Sequence, residues 1–129
     1  FFDMNFPSDL KYTKDHAWVR REGNTATVGI TDFAQRELSD IVYVEVETVG
    51  ETLPQDTIFG TVEAIKRVSD LFMPVSGEVI AFNEPLIRKP EVVNTDPYGE
   101  GWMIQIAMSA PEEWDTLLTA EEYRQLIDA

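Results

Sequence analysis

The sequence predicts a mainly β domain with short helices, closing on C-terminal helices. Three observations carry that reading. β-Branched and apolar runs of strand length recur at residues 25–30, 41–46, 57–62 and 103–108, a composition that suits a pleated, half-buried surface. Between them stand Gly23-Asn24, Gly50, Pro54, Pro74 and Gly77, which break strands and supply turns. After Met108 the pattern changes to short polar-apolar segments with helix-start residues. The length of 129 residues is that of one domain, with 43% hydrophobic and 26% charged residues as in ordinary soluble proteins.

Taken in order, residues 1–9 are expected to be a flexible arm or a cloning remnant ending at Pro7-Ser8, and 10–129 a single domain. The opening Phe1-Phe2-Asp3-Met4 lacks the basic start of a secretion signal; either Met4 is the natural start behind a remnant, the favoured reading, or a leader has been removed. Residues 11–22 form an extended segment carrying His16 and Trp18, which Gly23-Asn24 turns into a hairpin partner at 25–30. Thr31 or Asp32 can cap a short helix through Leu38, since either side-chain oxygen accepts from the free N–H groups of a first turn. Residues 41–46 are a strand, and Gly50 and Pro54 punctuate the loop to the next. A faint internal echo follows: Gly50-Glu51 leads through Pro54 to one strand, and Gly77-Glu78 through Pro85 towards Val92-Val93. Beyond the turn at 96–102 and the strand at 103–108, Ser109 or Pro111 opens a helical segment through Leu118. Thr119 caps a second helix, with Glu122 three residues on, and Tyr123, Leu126 and Ile127 are its expected packing face.

Composition excludes several chemistries. Without cysteine there is no disulfide, thiolate nucleophile or Cys-based metal site. His16 is the only histidine, which rules out a multi-histidine zinc centre and leaves one candidate base for a Ser-His-Asp arrangement. No spaced Asp/Asn loop suggests a calcium site, and no metal is expected. No apolar run is long enough for a membrane span. A net charge of −14 argues against nucleic acid and anionic lipid, both of which need Lys and Arg. The same acidity solvates the surface and suits docking onto basic faces of partner proteins.

One lysine in residues 59–77 stands between two apolar runs: Lys66, with Glu63 three residues before it and Asp70 four after. Two backbones fit. Val62, Ile65, Val68 and Phe72 recur near helical spacing, with Glu63, Lys66, Arg67 and Asp70 on the other face. The β-branched residues before Lys66, and Pro74 and Gly77 after it, favour instead two strands meeting at a turn. In that case Lys66 is exposed at the tip with no structural task, a good place to attach something. Otherwise it is a surface lysine like Lys11, Lys14 and Lys89.

The stretch resembles the lipoyl-lysine hairpin of the glycine cleavage H-protein family. That family shows Val-Glu-Ser-Val-Lys, then Ser-Asp, Ser-Pro and Val-Ser-Gly-Glu-Val; here stand Val62-Glu63-Ala64-Ile65-Lys66, Val68-Ser69-Asp70, Met73-Pro74 and Val75-Ser76-Gly77-Glu78-Val79. Outside it, Tyr12-Thr13, His16, Trp18-Val19-Arg20, residues 28–35, and Asn94 with residues 96–102 are similar too. The resemblance covers about residues 10 to 127 and implies the hairpin. It also implies a lipoyl-domain-like β-sandwich, or barrel-sandwich hybrid, in a monomer. Lipoic acid would be held in amide linkage on Lys66, as an arm of roughly 14 Å at ordinary bond lengths. Glu63 would serve recognition by the lipoylating enzyme, and His16 and Asp70 would line the cleft that receives the arm.

In the family's cycle the P protein, a pyridoxal-phosphate decarboxylase, loads the aminomethyl group of glycine. The T protein passes its carbon to tetrahydrofolate, and the L protein, dihydrolipoamide dehydrogenase, takes the electrons. The resemblance thus implies a carrier and co-substrate rather than an enzyme, cytoplasmic in a bacterium or in the mitochondrial matrix of a eukaryote. Four positions depart from the family: Ala17 stands for glutamate, Ser39 for glycine, Ala64 for serine and Arg67 for a small residue. Only the first removes a charge from the implied site. A lipoyl or biotinyl carrier of another complex is the nearest alternative, though biotin carriers flank the lysine with methionine where Ile65 and Arg67 stand here. A lipoate relay fits the same residues. A hydrolase using paired carboxylates would need a spacing that nothing here selects.

Overall fold

The computed structural model describes residues 4–128. Strands β2 (Ala17–Glu22) and β3 (Thr25–Ile30) form the hairpin predicted around Gly23-Asn24. With β1 (Lys11–Tyr12), β5 (Thr52–Leu53), β8 (Gly77–Phe82) and β9 (Ile104–Met108) they make a six-stranded antiparallel sheet, ordered β1-β2-β3-β9-β8-β5. A second sheet of β4 (Ile41–Glu45), β6 (Ile58–Ala64) and β7 (Val68–Phe72) has the order β4-β6-β7. Val19, Val28, Ile104 and Ile106 of the large sheet share one core with Val44, Val62 and Leu71 of the small one. The strands do not close into one ring, and a Tyr12–Leu118 bridge caps the outer edge of β1, so the architecture is an open β-sandwich and not a closed barrel. Each of these fully buried aliphatic side chains contributes about 1.5–3 kcal/mol.

Alternation along β2 sends its residues to opposite sides: Ala17 and Val19 enter the shared core, Trp18 a second cluster. That cluster covers the other face of the large sheet with Met4, Phe6, Leu10, Tyr12, Ala120 and Tyr123. The expected loose arm is therefore corrected over residues 4–9. Met4 and Phe6 are buried, and Tyr12 donates its hydroxyl to the Pro7 carbonyl at 2.6 Å. The physical reason is that Trp18 and Tyr12 need an apolar cover, which the first residues supply. Residues 1–3, and the remnant expected there, lie outside the described residues.

The helices follow their capping signals. Helix α1 (Asp32–Leu38) starts at Thr31, whose Oγ1 accepts from Ala34 N–H at 3.1 Å. Residues 109–118 hold a 3₁₀ turn at Pro111–Thr116. Helix α3 (Ala120–Asp128) opens on a reciprocal box, Thr119 N–H to Glu122 at 2.9 Å and Glu122 N–H to Thr119 at 3.1 Å. Its packed stripe is Ala120, Tyr123 and Ile127; Leu126 is 44% exposed and falls off the expected face, being rotated about 100° from Ile127. The internal echo also stops short. Pro85 lies in a 3₁₀ turn (Glu84–Ile87), and Val92–Thr95 is a short helix, α2, where the echo called for a strand.

Ser39, in place of the family's glycine, closes α1 at φ 64° and ψ −147°, a region that is costly for any residue with a Cβ. Asn94 compensates: its Nδ2 donates to the Ser39 carbonyl at 2.8 Å and its Oδ1 accepts from Ile41 N–H at 2.9 Å. Ser39→Gly should raise stability by about 1 kcal/mol, the relieved strain less the entropy that glycine adds to the unfolded chain. The midpoint of urea unfolding checks it; an unchanged or lower midpoint contradicts the strain.

Candidate functional site

Strands β6 and β7 pair from Ile58 opposite Phe72 to Glu63 opposite Val68. Ala64 N–H then donates to the Arg67 carbonyl at 2.8 Å, leaving Ile65 and Lys66 as the two residues of the turn. Residues 59–72 are thus a hairpin, not the amphipathic helix that their periodicity also allowed. The helical spacing was coincidental: Ile65 is 68% and Val68 63% exposed. Burial instead follows the strand period, with Val62, Ala64 and Leu71 in the core and Glu63, Val68 and Asp70 outside. Ile65 N–H donates to the Asp40 carbonyl at 3.2 Å, so the tip is tied to the α1–β4 turn that Asn94 holds. Lys66 itself is exposed at the tip.

Beside the tip lies a cavity of about 240 Å³. Ile30, Phe33, Leu38, Val62 and Leu71 give it apolar walls, and Asp15, His16, Glu37, Arg67, Ser69 and Asp70 its polar ones. Both turn and helix aim residues here. Thr13 Oγ1 accepts from Asp15 and Ala17 N–H, both at 3.2 Å, and His16 N–H donates to the Thr13 carbonyl at 3.1 Å. Phe33, Ala34, Glu37 and Leu38 recur at helical spacing along one face of α1. A larger groove of about 540 Å³ between β4 and β8, with Tyr43, Glu47, Val49 and Ile87 among its walls, includes neither lysine nor histidine.

Of the residues singled out in the sequence, His16 and Asp70 meet in this cavity, next to Lys66's neighbour Arg67. Glu63 does not line it and lies on the outer face of the small sheet, opposite Tyr43 and Val68. Asp15 lines the cavity with Asp70, and Glu37 is a further carboxylate that the sequence reading did not assign to the site. The signal for Glu37 was present: it stands four residues after Phe33 on the helix that Thr31 caps. Ala17 is 7% exposed in the core and does not line the cavity, so the missing glutamate leaves the carboxylates there untouched.

The His16 ring is half-buried, with its centroid 5.1 Å from that of Phe33 and its Nδ1 2.7 Å from the Tyr123 hydroxyl. Desolvation holds its pKa below the usual 6.5, against the opposing pull of Asp15 and Glu37. Burial likewise pushes Tyr123 up to about 12, with Thr31 pulling the other way. Among the described residues, no group of three or more His, Asp or Glu side chains is placed to hold a metal ion. No helix among them is long and apolar enough to cross a membrane.

Fold and site together define a small open sandwich that presents one lysine on a two-residue turn, beside a cavity with apolar and polar walls. The chain belongs to the glycine cleavage H-protein family, whose family description, "Glycine cleavage H-protein", matches residues 10–129. A glycine cleavage system H protein of Salinibacter ruber is 58% identical over 95% of this chain and 99% of its own length. That of Bacteroides fragilis is 52% identical over 98% and 100%. The crystal structure of a glycine cleavage system H protein from Mycobacterium marinum superposes with a TM-score of 0.87 at 37% identity, covering 96% of this chain and all of that one. The lipoyl-domain-like sandwich with C-terminal helices expected from the resemblance is thereby shown, and this chain is a carrier of the glycine cleavage system.

A pH prediction follows from His16. Because its pKa is depressed on folding, the unfolded chain binds the extra proton first, and this contribution to stability shrinks as pH falls below 6.5. His16→Gln cannot take up that proton. Its unfolding free energy should therefore change less than the parent's as pH drops from 7 through the region just below 6.5; identical slopes would contradict the burial argument.

Proposed function

We propose that this chain is the lipoyl-bearing shuttle of the glycine cleavage system, with lipoic acid in amide linkage to Lys66. The observation that supports this most is the exposed Lys66 on a two-residue turn whose next residue, Arg67, lines a cavity walled by apolar and acidic side chains. The residues fit the group: Phe33, Leu38 and Leu71 suit its alkyl stem and dithiolane, and Asp15, Glu37 and Asp70 suit a positively charged cargo. When bound, the lipoyl group supplies the disulfide that accepts the aminomethyl cargo and two electrons. The protein's part is placement, and shielding from water.

Glu63, with exposed Ile65 and Val68 near it, gives the lipoylating enzyme an acidic and apolar surface to read. The P protein loads the carrier, the T protein unloads it and the L protein reoxidises it. The chain acts as their co-substrate rather than as an enzyme, as a cytoplasmic monomer. Its net charge of −14 supports docking onto basic partner faces. Lys66→Arg should abolish the mass increment seen after expression in a lipoylating host, and all glycine-cleavage activity. Stability should stay within about 0.5 kcal/mol, as for an exposed position. A lipoyl group still present in that variant would refute the assignment.

The carboxylates have a separate role. An amine beside a carboxylate stays protonated, and an ammonium has no lone pair with which to expel the sulfur. Asp70→Asn and Glu37→Gln should each speed ammonia release from loaded protein, without T protein, by about two- to tenfold, the modest size expected of exposed charges. Parent-like rates in both would remove the carboxylates from this role.

A further inference from the structure

The hydroxyl of Tyr123 lies 2.7 Å from His16 Nδ1 and 2.8 Å from Thr31 Oγ1. Two arrangements of protons fit. In one, Thr31 donates to Tyr123, and Tyr123 donates to His16 Nδ1. In the other, His16 donates to Tyr123 and Tyr123 to Thr31, whose own O–H must then find a further acceptor. Thr31 is 0% exposed, and its Oγ1 already accepts from Ala34 N–H at 3.1 Å. Among the described residues, Tyr123 is the sole acceptor within reach of the Thr31 hydroxyl. A buried hydroxyl left without an acceptor is costly. Only the first arrangement gives every proton a partner.

We infer that Tyr123 is a positioning residue: with Thr31 behind it, it holds His16 as the Nε2–H tautomer and so gives the cavity a fixed N–H donor. His16 cannot then accept from a cation. Its wall of the cavity selects an acceptor, such as a thioether sulfur or an amide carbonyl, while a cationic end is left to Asp70, Glu37 and Asp15, which line the same cavity. What the cavity receives rests on the carrier reading above; the tautomer does not. Tyr123 belongs to α3 and Thr31 caps α1, so the donor is set by docking of the last helix on the rest of the fold.

His16 being the only histidine, the imidazole nitrogen spectrum of ¹⁵N-labelled chain reports this ring alone. In unmodified protein near pH 7.5, Nε2 should appear as the protonated nitrogen and Nδ1 as the bare one. In Tyr123→Phe the population of the minor Nδ1–H form should rise roughly tenfold, the factor set by one buried hydrogen-bond partner. Thr31→Ala should do the same, and Thr31→Ser should restore the parent spectrum. An Nδ1–H or averaged ring in the parent overturns the inference, even if no variant folds. So does an unchanged tautomer ratio in a folded Tyr123→Phe. Because unmodified chain is used, absence of lipoate from Lys66 would sink the carrier reading and leave this result standing.

Discussion

The hairpin that carries Lys66 is held from one side only, and the rest of the fold answers to that constraint. Val62, Ala64 and Leu71 are its anchors in the core, while Glu63, Ile65, Val68 and Asp70 stand in solvent. A two-stranded hairpin alone is marginal in water. Here β4 pairs with β6 through Tyr43 opposite Glu63 and Val44 opposite Val62, and the large sheet closes the core beneath. The tip is fixed independently by the Ile65 to Asp40 bond, and the turn behind Asp40 by Asn94. The result is a pedestal braced from the core, from β4 and at its tip, with one exposed amine on top.

The second constraint comes from the chain ends. Tyr12 and Tyr123 stack with their ring centroids 5.0 Å apart, and Phe6 meets both edge-on at 6.4 and 5.5 Å. Tyr12 also exchanges backbone hydrogen bonds with Leu118, both at 2.8 Å. The N-terminal residues and the last helix thus cover the same face of the large sheet, around Trp18. That cover reaches the site because the hydroxyl of Tyr123 ends on His16. Packing at the termini and polarity of the cavity share one side chain.

Much of this was legible in the sequence. The Thr31 cap, the Thr119–Glu122 box and the turn at Gly23-Asn24 are local, so residue chemistry alone settles them. Whether residues 59–72 form a hairpin is not local: the apolar spacing fits both periods, and what decides is which residues the large sheet covers. The arm failed for the same reason, since Phe6 meets the Tyr123 ring of α3, 117 residues away, and Met4 joins the same buried cluster. Leu126 misled because one helical turn offers more apolar residues than a narrow stripe can bury. Glu37 was missed because the reading followed charges near Lys66 in sequence, whereas the cavity collects them from a turn, a helix and a strand.

Ala17 shows how a departure from a family's pattern is best weighed. From sequence it looked like the loss of a carboxylate from the site. In the fold its side chain enters the core with Ile30 and Ala34, at the strand position paired with Ile30. A glutamate there would have to bend away from the core or carry its charge into it, at a cost of several kcal/mol if unpaired. With alanine the core stays apolar, and Asp15, Glu37 and Asp70 still face the cavity from three different elements. The acidic character of this cavity is a property of the whole wall, so one position can lose its charge while the wall keeps its sign.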